Sequence, residues 1–365
     1  MGVLRDIFWV KDKAESASGQ KRVEWIDIAK LFGMIAIYLG HFGEQAGAAY
    51  GFVFAFHVPF FFFLSGCMNT YDREENFGKY ILKRAQRILL PFYGFALVSI
   101  PPKMYTQGKA HLFDHIGEYL MQILMGAIRN RFFALALWFL TCLFVMEVMF
   151  KAIKYTKRKV LIFLIPLLCF LFTTYGLKPG PFADPRIPYN IDSALYYMIY
   201  FAVGYLAYPY LIRLFQLDTK TKKILFLVIY LLIFAYSAGV LFGMDLLSWP
   251  YIQNDNVILF LVAVKAILIS MAVLMSARLL VKVPQLAHMG RKTLFLCGNE
   301  YIMKFLVPGV AGKLGFEIKL FHPLIALLYT VFLIVLCVYI VIPVEEWMIK
   351  VTAEIIFRRE RKKEK

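Results

Sequence analysis

The sequence predicts an all-α, polytopic membrane protein with about ten transmembrane helices and both termini in the cytoplasm. Three observations carry this. Of the 365 residues, 61% are hydrophobic and only 18% charged, less charge than a soluble domain of this size carries. The apolar residues come in blocks of bilayer length rather than in short amphipathic stripes. Lys and Arg crowd alternate connections, as cytoplasmic loops do. That distribution accounts for the net charge of +17 by anionic lipid at the bilayer surface rather than by nucleic acid.

The elements follow in order. Residues 1–23 form a polar cytoplasmic arm with no signal-peptide core, so the first span itself directs insertion. A single membrane domain over 24–348 comes next, and a basic cytoplasmic tail, 349–365, ends in RRERKKEK. The spans are Trp25 to Glu44, Tyr50 to Met68, Ile88 to Tyr105 (broken at Pro101-Pro102), Phe132 to Ile153 and Lys159 to Leu177. Then come Ser193 to Phe215, Lys223 to Phe242, Asn256 to Leu280, a shorter and more polar Leu294 to Pro308, and Phe321 to Met348. Between the third and fourth spans the amphipathic piece HIGEYLMQILMGAI lies on or re-enters the outer interface. An even span count returns both termini to one side. The five cysteines lack metal-ligand spacing, so neither a zinc site nor a disulfide framework is expected.

Ionisable groups inside spans are costly and mark functional candidates. Asp27, Lys30 and His41 lie in the first span and His57 early in the second. Lys30 and His41, eleven residues apart, fall within ~20° of one helical face and ~16 Å apart along the axis. Asp27 precedes Lys30 by nearly one turn. Lys30 therefore sits near the inner side, with His41 and His57 both in the outer half. Histidine exchanges protons near neutral pH, which suits a general base; hydrogen bonding to backbone near the interface is the plainer alternative. Lys83, Arg84 and Arg87 cluster at the inner end of the third span, where Arg84 and Arg87 can converge on one anion. Positive-inside topology explains the same cluster without a ligand. Glu300 and Lys304, one turn apart, are expected to neutralise each other, while Glu147 and Lys265 have no assigned role. Tyr196, Tyr197 and Tyr200 line an outer vestibule or belong to an aromatic belt.

RVEWIDIAKLFGMIAIYLGH resembles the opening of the acyltransferase family 3 integral membrane proteins: a basic residue, ten residues, then His, met by Lys30 and His41. FHVPFFFFLSG is similar to the family's second-helix motif in its fucose 4-O-acetylase-like branch, and LKRAQRILLPF resembles its arginine-rich entry to the third helix. ALWFLTCL and YFAVGYL are similar to weaker markers. The resemblance implies acyl transfer from acetyl-CoA, or another acyl-CoA, to a hydroxyl of a cell-surface glycan or its lipid-linked precursor, at the plasma membrane and without a metal. It implies His41 as the essential histidine and Lys30, Arg84 and Arg87 on the acyl-CoA side; by position, Asp27 and His57 join the catalytic candidates and Lys83 the coenzyme-binding ones. Two departures stand out: Glu300 and Lys304 occur where many members have a serine and a terminal histidine, and no hydrolase-like domain follows. The rival reading is a proton-coupled transporter or flippase using His41, His57, Asp27 and Lys30 as a relay.

Overall fold

The computed structural model describes residues 22–69, 76–106, 114–177, 180–181, 183–247, 255–320 and 322–351. Most of the N-terminal arm and of the basic tail lie outside the described residues, which form helices and connections without a strand. The first helix, α1 (Glu24–Gly40), is followed by α2 (Ala48–Phe54) and α3 (His57–Met68). Next come α4 (Phe77–Arg84), a π-helical turn at Ala85–Leu89, α5 (Leu90–Val98), α6 (Ile100–Thr106) and the amphipathic α7 (Ile116–Leu124). The chain continues through α8 (Trp138–Lys154), α9 (Lys159–Leu171), α10 (Ile191–Leu214), α11 (Lys220–Leu241) and α12 (Asp255–Leu279). It closes with α13 (Pro284–Arg291), α14 (Thr293–Lys313) and α15 (Pro323–Leu336), which runs on through a π turn at Cys337–Val341.

Among the described residues six helices are long and apolar enough to cross a membrane: Ala48–Met68, Lys159–Gly176, Pro188–Leu214, Lys220–Leu241, Phe260–Leu279 and Pro323–Val351. Four of the ten expected spans are not among them, each for a visible reason. α1 and α8 are 17 residues long. The third span is divided by the π turn and by the junction at Ser99, just before Pro101-Pro102, where Ser99 Oγ donates to the Phe95 carbonyl at 2.8 Å. α14 carries Glu300, Lys304 and Lys313.

One of the charged helices is also the most enclosed. α1 packs against α2, α3, α12, α13, α14 and α15, and Trp25 through Ala29, Leu31 and Tyr38 are all buried. Lipid exposure is left to helices such as α11, whose outward row of Ile224, Leu227, Leu231 and Phe234 is exposed. Hydrophobicity thus sorts the helices by environment: uniform apolar faces meet lipid, and charged faces meet protein.

Close packing at the centre depends on absent side chains. At the α3–α10 crossing, a Cβ on Gly66 would lie 2.0 Å from the Phe201 carbonyl oxygen, and one on Gly204 1.9 Å from that of Phe63. Cys67 Sγ donates to the Gly204 carbonyl across the same contact at 3.3 Å. Small residues at such crossings let membrane helices approach backbone to backbone. At the α1–α13 contact, a Cβ on Gly290 would lie 1.8 Å from the Asp27 carbonyl oxygen. The loop before α10 is fixed by Asn190, which receives the Arg129 N–H at 2.8 Å and donates to Thr141 Oγ1 at 3.0 Å.

Gly204→Ala is expected to lower the melting temperature of the detergent-solubilised protein, since forced overpacking costs about 1–3 kcal/mol. Gly51→Ala, where a new methyl meets open space, is the control and leaves it unchanged or raised. Equal melting curves for the two variants would refute the backbone-contact explanation.

Candidate functional site

The polar face of α1 divides into two clusters, one at each end. At the first, the buried Asp27 carboxylate accepts from Arg22 Nε at 2.6 Å and Arg22 Nη2 at 3.1 Å, and from Lys30 Nζ at 3.4 Å. One carboxylate thus holds two cations. Its oxygens are occupied, so it fixes Lys30 rather than standing open as a base.

Lys30 faces a cavity of about 350 Å³ whose polar wall includes Arg84, Glu147 and Arg291. Arg84 ends α4, lies over the Tyr80 ring at 5.1 Å, and its Nε sits 3.0 Å from Glu147 Oε2 on α8. Glu147, unassigned from sequence, is therefore the counter-charge that holds Arg84 against the cavity. Lys83 and Arg87 are exposed and do not line it. The expected convergence of Arg84 and Arg87 assumed regular α-helical spacing. The π turn that begins directly after Arg84 is wider and turns Arg87 away. Arg291, not among the site candidates read from the sequence, closes the cavity from the end of α13. Among the described residues it forms no ion pair, whereas Lys30 and Arg84 each face a carboxylate. Further in, the wall becomes apolar, with Met34, Phe61, Leu140, Leu143, Ile37 and Cys297.

The second cluster is at the far end of α1. His41 is the residue at which the helix stops, its N–H still bonded to the Ile37 carbonyl at 3.0 Å. Its Nδ1 lies 3.1 Å from Glu300 Oε1, and Lys304 Nζ lies 2.9 Å from the same oxygen. Glu300 is almost fully buried. The His41–Glu300 contact is within ion-pair reach but off the angle of a regular hydrogen bond. The expected Glu300–Lys304 pair therefore exists, and the sequence reading missed its third member. The available signal was depth: α14 brings an acid and a base to the level of His41.

His41 and Lys304 open onto a second cavity of about 670 Å³, shared with Phe42, Gln45 and Tyr329. Lys304 Nζ sits 4.6 Å above the Phe42 ring. Ile37 and Cys297 line the first cavity, while His41 and Lys304 line the second. Ile37 and His41 are one helical turn, ~6 Å, apart. No described residue lines both, so the two spaces are distinct and follow one another along α1.

His57 lines neither cavity. It begins α3, is buried, and its Nδ1 lies 2.7 Å from the Val53 carbonyl, with its ring edge-on to Phe54 at 4.9 Å. Only a protonated Nδ1 can bond a carbonyl, so His57 locks the break between α2 and α3. Tyr196, Tyr197 and Tyr200 are buried, in an aromatic cluster where Tyr197 stacks on Phe62 and Tyr196 meets Phe170. They form core, not vestibule. Lys265 pairs with Asp245 at 2.8 Å and ties down the connection after α11. His322 caps α15, accepting the Leu324 N–H at 3.2 Å, and His288 stacks on Tyr339. Among the described residues no group of three or more His, Cys, Asp or Glu is arranged to hold a metal.

The electrostatics of the second cluster yield a test. Glu300→Gln leaves Lys304 without its counter-charge, a loss expected to destabilise the protein by about 3 kcal/mol. Adding Lys304→Met removes the orphaned charge and recovers most of the melting temperature. If the double variant melts no higher than the single one, the two groups are not energetically coupled.

With this geometry in hand, comparison with known proteins gives one match. A family model for the acyltransferase domain of acyltransferase family 3 matches residues 23–346. None of the curated proteins and none of the solved structures compared matches the chain.

Proposed function

This chain belongs to acyltransferase family 3, and on that premise we propose how it, as a multi-pass membrane acyltransferase, carries out its transfer. The donor is an acyl-CoA, most simply acetyl-CoA, held in the Lys30 cavity. The acceptor is a hydroxyl of a cell-surface glycan or its lipid-linked precursor, entering through the His41 cavity. The observation that carries this reading is the pairing of two chemically different cavities across one turn of α1: cations at the mouth of one, a histidine on the wall of the other. FHVPFFFFLSG supports a fucose 4-O-acetylase-like variant of it.

Coenzyme A carries its anionic groups at one end and its thioester at the other. Arg291, Arg84 and Lys30 suit the phosphates, and guanidinium forks bind phosphate oxygens well. The apolar throat of Met34, Phe61 and Leu140 suits the arm and acyl group. The cytoplasm supplies acyl-CoA, so the Lys30 end faces inward in the plasma membrane.

The carboxylate of Glu300 beside Nδ1 favours the tautomer with the proton on that nitrogen, leaving Nε2 as the base. The acceptor oxygen attacks the thioester carbonyl carbon, forming the C–O bond, as its proton passes to Nε2. The C–S bond then breaks, and His41 returns that proton to the departing sulfur, giving an O-acyl product and free coenzyme A thiol. Lys304, beside the same carboxylate, supplies positive charge near the transient oxyanion. The transporter reading requires His57 in a relay with His41, and its position at the α2–α3 break, away from both cavities, gives that no support.

His41→Ala is expected to lower acetyl transfer at least ~100-fold, the scale of a lost general base, while acetyl-CoA binding persists. The purified full-length protein would be assayed for thiol release and acetylated product; a wild-type rate would remove His41 from the chemistry. Arg291→Gln is expected to weaken acetyl-CoA binding about tenfold, the weight of one charge-assisted contact of roughly 1.5 kcal/mol. Arg87→Gln, outside the cavity, should change it far less. Equal losses in the two variants would mean a diffuse surface field and not a site.

A further inference from the structure

We infer that the His41 cavity is built for an uncharged sugar ring, positioned by Phe42, Tyr329 and Gln45, rather than for an acidic sugar or a phosphate. This deepens the proposed function and rests on it.

The first argument is charge. Each ionic group on the wall of this cavity is matched: Lys304 by Glu300 at 2.9 Å, and Glu317 by Lys319 at 2.7 Å. Among the described residues the His41 cavity therefore holds no uncompensated cation for an anionic acceptor, whereas Arg291 at the donor cavity stands without an ion pair. A carboxylate placed here would meet Glu300 and Glu317 with no surplus charge to offset its desolvation. The two cavities are thus selective for opposite things.

The second argument is shape and hydrogen bonding. Phe42 and Tyr329 stand with ring centroids 5.7 Å apart and planes inclined by 44°, giving an angled aromatic corner against which the C–H edge of a pyranose can pack. Directional groups surround it. The Tyr329 hydroxyl is buried with no hydrogen-bond partner among the described residues, which in a folded protein calls for a bound group or water. Exposed Gln45 stands at the mouth with a donor and an acceptor to offer. Aromatic faces with a few convergent donors and acceptors are what a neutral polyol requires, and about 670 Å³ lies within the usual size of small-molecule sites.

In this arrangement Tyr329 and Gln45 are positioning residues. They orient the ring so that one hydroxyl reaches His41, and they take no part in the proton transfer.

The test uses detergent-purified full-length protein, acetyl-CoA, and a panel of neutral methyl pyranosides set against the matching methyl uronosides. Ligand-observed NMR measures binding, and mass spectrometry measures acetylation. At least one neutral pyranoside is expected to bind, and its uronoside about tenfold more weakly. Tyr329→Phe should raise the KM for that neutral sugar about three- to tenfold, the weight of one hydrogen bond, without a matching fall in kcat. Uronosides bound as well as their neutral partners, or an unchanged acceptor KM in Tyr329→Phe, would overturn the inference. If acetyl-CoA binds and none of the neutral sugars does, the acceptor assignment fails and the donor cavity stands. If acetyl-CoA itself fails to bind, the proposed function fails first.

Discussion

A charged side chain survives at membrane depth only where protein or water meets it, and α1 presents Asp27, Lys30 and, at its end, His41 along one face. The bundle is arranged around that requirement. α1 lies inside, ringed by six helices, and each of its polar groups finds a partner: Asp27 with Arg22 and Lys30, His41 with Glu300. α14, which supplies Glu300, is polar and carries an internal proline, and α8, which supplies Glu147 to Arg84, is short. Their irregularity and their position have one cause, because a helix enclosed by others need not match the bilayer in length or hydropathy. Gly290 lets α13 lie directly against the Asp27 backbone, and that approach is what brings Arg291 to the same cavity as Lys30.

Much of this was legible in the chain itself. The eleven-residue spacing from Lys30 to His41 implies a shared face because helical geometry is local, and the helix that carries Lys30 runs 17 residues to Gly40, where His41 caps it. The all-helical fold was equally legible, since block hydropathy is a one-dimensional property. Pairing is not. His41 and Glu300 are distant in sequence, and nothing in either segment names the other. Arg84 and Arg87 illustrate a second limit: their convergence was inferred from ordinary α-helical spacing, and a π turn of five residues removed it. His57 illustrates a third. A histidine at the start of an apolar helix reads alike whether it serves chemistry or satisfies a carbonyl, and the 2.7 Å contact to Val53 distinguishes the two only in three dimensions.

On the proposed reading, the break between the cavities beyond Ile37 and Cys297 explains why two cavities are preferable to one open channel. A diphosphate would have to shed its hydration to pass an apolar constriction, at a cost far above what a single helical turn of protein offers in return. The thioester and a short acyl group carry no net charge and meet no such barrier. On this reading the segment between the cavities holds back the coenzyme's charged end and lets only the neutral fragment reach the histidine. Its thinness sets the chemistry: the reacting carbonyl needs to advance only about one helical turn, ~6 Å, beyond the donor throat to reach the histidine. Keeping the cations on one side and the balanced Glu300–His41–Lys304 cluster on the other leaves each half-site to bind its own substrate, and the transfer needs only the neutral fragment to move.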